Sequence, residues 1–220
     1  MKNTVLITGL NKIFDEKLAE IFIRGGFCVF AMSDKPAVLE GLTLLPSGVC
    51  EASAALKEKA GKLDFLLDTT DVSDPKDTFT VRDGMDSAVM ERIFRRNVLR
   101  SMSLLEAFLP LLDEGESKRL FYLTRAGASI NETRCTSHFG YNMSKAGLHQ
   151  FIQMTRNKLA PKGYTFRVFD PLDNELSPEA AAQSAFNYII RRRGTENNDP
   201  MRDDEDNLVF RDAQGRQHCW

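Results

Sequence analysis

The chain has 220 residues, 42% of them hydrophobic and 27% charged, the make-up of one soluble domain long enough for a large core. Its net charge of -2 excludes the basic footprint of a nucleic-acid or anionic-membrane binder. No segment is long and apolar enough to span a bilayer, and no signal-peptide hydrophobic region opens the chain, so a cytoplasmic protein is expected. Cys28, Cys50, Cys135 and Cys219 form no C-x-x-C pair, and His138, His149 and His218 are dispersed, which points to reduced thiols and no metal site.

Strand-like and helix-like segments alternate along the chain. A β-rich run at residues 4–8 precedes an amphipathic helix at about 15–24, which Gly25-Gly26 ends. Residues 28–32 read as a second strand, 42–45 as a third, 51–60 as a helix and 64–68 as a fourth strand. A long helix is expected over about 87–112, a fifth strand over 120–124 and a helix over about 140–159. A sixth strand at 166–169, a helix at 178–192 and a short last strand at about 207–211 complete the pattern. Repeated β-α-β units with nearly continuous apolar strands predict an α/β doubly wound parallel sheet, with helices on both faces, in a single domain over residues 1–220. The polar, acidic stretch from Gly194 to Asp206 reads as a loop beside the sheet. Ligands of such sheets bind beyond the carboxyl ends of the strands, at the switch point.

Tyr141 and Lys145 lie four residues apart at the start of the helix after the fifth strand, on one face. A free phenol, with a pKa near ~10, is a poor acid or base at neutral pH. A neighbouring ammonium favours the phenolate and moves the group towards the range useful for proton transfer. The pattern alone is weak, because any surface helix can carry it.

The order of parts resembles the short-chain dehydrogenase/reductase family, a Rossmann-like fold that binds a nicotinamide dinucleotide. The resemblance spans about residues 4–172. It is carried by Thr8-Gly9 after the first strand, Asn97-Val98-Leu99 in the long helix, Tyr141-Asn142-Met143-Ser144-Lys145 and Asp170-Pro171 after the sixth strand. The resemblance implies Tyr141 as the acid/base that delivers a proton to a carbonyl oxygen. Lys145 would lower its pKa and bond the nicotinamide ribose, and Asn97 would hold a water that relays protons from Lys145. Cofactor contacts implied are Thr8, Gly9, Asn11, Lys12, Ile13, Asp34, Lys145 and Pro171, with NADP slightly favoured over NAD because Lys12 stands where a basic residue meets the 2′-phosphate. For the catalytic Ser there are two candidates: Ser129 by spacing, and the slot after the fifth strand, which holds Thr124-Arg125. There Arg125 would polarise a carbonyl or clamp a substrate carboxylate.

The sequence also departs from the family pattern. Of three glycines in the first βα turn only Gly9 remains, with Ile13 and Asp15 at the other two positions. Asp15 as an N-cap would give the helix amides to the protein's own carboxylate. A pyrophosphate about 5 Å away would meet repulsion on the order of 1–3 kcal/mol. The Asn-Asn-Ala-Gly signature after the fourth strand is replaced by Asp68-Thr69-Thr70-Asp71, and Leu172 follows Pro171 where the family has Gly, with no lid after it.

Three readings follow. The first is an NAD(P)H-dependent oxidoreductase acting on a carbonyl or alcohol, favoured by the Tyr–Lys–Asn set. The alternative is a dehydrogenase-like protein that has lost dinucleotide binding and serves as a binding, regulatory or subunit-pairing module. The third is a cationic or neutral ligand above Asp15, Asp68 and Asp71. The resemblance also implies a homodimer or homotetramer, for which Leu104, Leu105, Phe108 and Leu109 on the long helix and Leu148, Phe151, Ile152 and Met154 on the active-site helix are apolar enough, although such stripes more often face the sheet.

Overall fold

The computed structural model describes residues 2–33, 39–172, 175–194 and 198–220. Among these, eight strands form one sheet: β1 (Thr4–Ile7), β2 (Cys28–Met32), β3 (Leu42–Leu45), β4 (Phe65–Asp68), β5 (Arg119–Leu123), β6 (Thr165–Asp170), β7 (Phe210–Asp212) and β8 (Gln217–His218). The helices are α1 (Ile13–Arg24), α2 (Val49–Ala60), α3 (Ser87–Phe94), α4 (Arg100–Asp113), α5 (Phe139–Leu159) and α6 (Pro178–Ile190). The strand order is β3-β2-β1-β4-β5-β6-β7-β8, parallel throughout except for the antiparallel β7–β8 pair. This is a Rossmann-like doubly wound sheet, and its order reverses between β1 and β4, the place where such sheets bind ligands.

The strands are apolar on both faces because both are covered. Successive side chains alternate: Leu6, Leu66, Leu120 and Tyr122 pack with Leu56, Phe108, Leu148 and Ile152 of α2, α4 and α5. Val5, Ile7, Leu67 and Phe121 pack on the other side with Leu18, Phe22, Ala185 and Ile189 of α1 and α6. Leu104, Leu105, Phe108, Leu148 and Ile152 are therefore core, the sheet-facing use of these stripes. No helix of the described residues is long and apolar enough to cross a membrane.

Several elements differ from the sequence expectation, among them α1, the long helix and the last strand. Helix α1 begins at Ile13, two residues early, because Asp15 reaches back from its first turn to the amides that precede it. The long helix is interrupted by a π turn at Arg95–Leu99, a feature that periodicity does not reveal and that often marks a functional position. The last strand of the prediction falls at Phe210–Asp212, and β8 follows it after a tight turn. The described part of the acidic stretch, residues 198–206, is tied to the sheet by arginines. Arg211 pairs with Asp204 and Arg119 with Glu205, while Arg167 donates to the carbonyls of Asp204 and Arg191 at 2.6 and 2.9 Å.

Candidate active site

The turn after β1, the loop after β4, the turn after β5 and the start of α5 converge at the carboxyl ends of the strands. Thr8 links β1 to β4 there: its hydroxyl donates to Asp68 at 3.0 Å and accepts the Thr69 N–H at 3.2 Å. The loop at residues 69–86 then runs over the site and is pinned at three points. The Asn97 side chain accepts the Val72 N–H and donates to the Val72 carbonyl, both at 2.9 Å. Asp74 pairs with Arg92 at 2.6 Å. Asp77, fully buried, accepts the Gly140 and Tyr141 N–H groups at 3.0 and 2.8 Å and so caps α5 from outside the helix. Gly140 permits the close packing of α3 and Asp77 here, since a Cβ there would lie 3.1 Å from the Met90 Cα and 3.3 Å from Asp77 Oδ1.

The centre of the site is Asp71. Its Oδ1 accepts the Tyr141 hydroxyl at 2.6 Å and lies 3.2 Å from the Lys145 ammonium. Its Oδ2 lies 2.5 Å from Lys12 and 2.8 Å from Arg125. Burial by itself raises the Asp71 carboxyl, but Lys145, Arg125 and Lys12 outweigh it and hold it well below the usual carboxylate range. Burial, reinforced by the Asp71 charge, pushes the Tyr141 phenol upward. That is the reverse of the activation expected from a Tyr–Lys pair, since the carboxylate interposed between them favours the neutral phenol.

The ammonium of Lys145 is also fully occupied. Besides Asp71 it donates to the carbonyls of Thr70 and Leu123 at 2.8 and 3.2 Å, which accounts for its three N–H groups. Burial draws its pKa below the ordinary lysine value against the pull of Asp71. Asn97 is fully buried, and its amide is spent on Val72 and on Ser144 Oγ at 2.9 Å.

Of the two candidates for the Ser role, Arg125 stands beside the phenol, its Nε 3.2 Å from the Tyr141 oxygen. Ser129 is buried, and its hydroxyl accepts the Glu132 N–H at 3.1 Å. Thr124 Oγ1 meets His149 Nε2, and burial followed by the charge of Lys145 pulls that imidazole down to about 4, so it is neutral at physiological pH.

Next to this centre lies a polar cleft of about 420 Å³ lined in part by Thr8, Gly9, Asn11, Lys12, Asp15 and Ser33, and also by Arg96 and Arg100. Ile13, 59% exposed, turns to solvent and is not a lining residue. Pro171 is buried outside the lining, and Asp34 lies outside the described residues. Asp15 is the obstacle in the turn, though as the third residue of α1 rather than its N-cap. Its Oδ2 accepts the Asn11 and Lys12 N–H groups at 3.1 Å each, and its buried Oδ1 has no partner. Leu172 adopts a φ of 54°, the left-handed region in which the glycine of the resemblance is at ease. Among the described residues no cluster could hold a metal ion.

The fold implies a nicotinamide dinucleotide, and the residues present do not fit one. The turn amides that would face a pyrophosphate are taken by Asp15. The hydroxyl and ammonium that would meet a ribose and a substrate are taken by Asp71. Sequence reasoning noted the acidic replacement of the signature after β4 but missed Asp71 as the partner of Tyr141 and Lys145. The available signal was its position: it stands where the family signature ends in glycine, the one place in the loop without a side chain. Asp77, Arg96 and Arg100 were missed as well.

Comparison with known proteins places this geometry in context. The carbonyl reductase Sniffer of D. melanogaster superposes over the whole of both chains with a TM-score of 0.83 at 14% identity. The NADPH-bound carbonyl reductase from chicken fatty liver gives 0.79 at 12%, and a carbonyl reductase from Pseudomonas aeruginosa PAO1 in complex with NADP gives 0.78 at 16%, again over the whole of both chains. The chain therefore has the short-chain dehydrogenase/reductase fold in a divergent sequence. A curated relative, C-signal of Myxococcus xanthus, is 27% identical over 111 residues, 50% of this chain and 65% of its own length. No family model matches the chain.

Proposed function

We propose that this protein is a binding and subunit-pairing module on a dehydrogenase fold, in which the protein's own carboxylates have replaced the dinucleotide and hydride transfer has been lost. The observation that carries the reading is Asp71, which holds Tyr141, Lys145, Lys12 and Arg125 at once. Asp15 supports it by closing the amide turn. A pyrophosphate beside Asp15 and a ribose beside Asp71 would each displace a satisfied ion or hydrogen bond, so dinucleotide affinity falls on both counts. Calorimetric titration with NADPH and then NADH tests this: no heat of binding at millimolar cofactor is expected, and micromolar binding of either would overturn it.

A second reading has its own support. Asn97, Tyr141 and Lys145 stand together at the carboxyl ends of the strands, beside a cleft carrying Lys12, Arg96 and Arg100. The fold neighbours include NADP-bound carbonyl reductases. On this reading the protein is an NADP(H)-preferring oxidoreductase of a carbonyl or alcohol, in which, with Asp71 displaced, Tyr141 would supply the proton to the carbonyl oxygen and the cofactor the hydride. Micromolar NADPH binding would favour it.

A further inference from the structure

We propose that Lys12, Arg125, Tyr141 and Lys145 form a carboxylate-binding site that the chain fills itself with Asp71. This deepens the binding-module reading by naming the ligand class. Each oxygen of the occupant receives two donors: Tyr141 and Lys145 at 2.6 and 3.2 Å on Oδ1, Lys12 and Arg125 at 2.5 and 2.8 Å on Oδ2. Two lone pairs on each oxygen are thereby matched, the full complement of a carboxylate. The donors come from elements other than the one bearing Asp71: the turn before α1, the turn after β5 and the first turns of α5.

Other contacts hold the frame in place. Lys145 is fixed by the Thr70 and Leu123 carbonyls. Arg125 lies against the Tyr141 oxygen and 3.8 Å from Asp170. Three cations surround the occupant and Asp170 stands beside one of them, so removing the Asp71 carboxylate takes away the acceptor they share and leaves its donors in place. In the intact chain the tether fixes the occupant at high effective concentration, because its loop is pinned at Val72 and Asp77. Free small carboxylates are therefore excluded. A natural ligand must present a carboxylate to the same four donors and gain further contacts from the adjoining cleft, where Arg96 and Arg100 supply cations.

The test uses the full chain with Asp71→Ala, and the probes are formate, acetate and inorganic phosphate against chloride at matched ionic strength. Thermal unfolding of Asp71→Ala should show a saturable rise in Tm with formate and acetate that the wild type lacks. Adding Arg125→Met should weaken that response by roughly tenfold, the loss of one charge-assisted contact. A response equal to that of chloride, one that survives Arg125→Met, or one confined to phosphate would overturn the assignment. Should Asp71→Ala fail to fold, carbon-13 NMR of the wild type decides. An Asp71 carboxyl still ionised well below the ordinary aspartate range supports the site, and an ordinary titration overturns it. These readouts concern anions, so they can fail while the dinucleotide titration succeeds, and the reverse.

Discussion

A carboxylate that accepts two backbone N–H groups ordinarily ionises more easily than usual, yet Asp15 is pushed up from 3.8 to about 6 because burial outweighs the amides of Lys12 and Asn11. A raised pKa in the folded state gives stability that is complete below the unfolded value and is lost as the pH rises to about 6. At neutral pH the ionised group therefore costs on the order of 1–3 kcal/mol. Asp15→Asn keeps an oxygen for the two amides without the charge. Urea unfolding should find the variant more stable than wild type at pH ~8, with the gap closing below the unfolded value near ~3.9; a variant less stable at the alkaline end would contradict this. At this scale the departure at Asp15 was legible, because a residue type and a turn position suffice to place its carboxylate near amides. Asp71 was only half legible. Its charge is in the sequence, but its meeting with Tyr141, seventy residues away, depends on how the loop after β4 folds back.

Among the elements, the loop at residues 69–86 does what the segment after β6 was expected to leave undone: it covers the site, held by Asn97, Arg92 and the first amides of α5. The segment ending at Asp206 makes a related point. Its sequence reads as a loop beside the sheet and does not reveal that Asp204 is buried against Arg211, whose Nη2 also donates to the Pro200 carbonyl at 2.6 Å. The partner arginines sit on β5, β6 and β7, where a charged residue in a strand suggests an exposed edge. Only the pairing of three strands with one returning segment explains their burial. Arg211→Met leaves Asp204 buried without its counter-ion, and removing one member of such a pair costs about 3–5 kcal/mol. Denaturant unfolding checks this, and a loss under about 1 kcal/mol would show the pair to be solvated.

For the whole molecule, the parallel sheet and the sequence of elements followed from periodicity, since buried parallel strands and amphipathic helices leave strong, separate signatures. The use of the apolar stripes on the long helix and α5 did not: most of them face the sheet, Met154 is 63% exposed, and a separate exposed apolar face is made by Phe94, Leu99, Met102 and Met143, 39–56% exposed, around the π turn and the start of α5. A hollow of about 360 Å³ lies among Phe94, Leu99 and Met143. Apolar side chains contiguous on two helices are the kind of face that a second copy covers. Size exclusion with light scattering should find a dimer that Leu99→Glu converts to monomer; a monomeric wild type would contradict the pairing role.

The central claim is that burial and the Asp71 charge together hold Tyr141 as a neutral phenol, and ultraviolet titration of the tyrosines tests it directly. All four tyrosines, Tyr122, Tyr141, Tyr164 and Tyr188, are pushed above the ordinary value of 10.0, in each case first by burial. The wild type should therefore form no phenolate below that value, while Asp71→Asn brings one tyrosine to lower pH and Tyr141→Phe removes that one. A wild-type tyrosine that ionises below 10.0 and disappears in Tyr141→Phe would contradict the account and restore Tyr141 and Lys145 as a working acid–base pair.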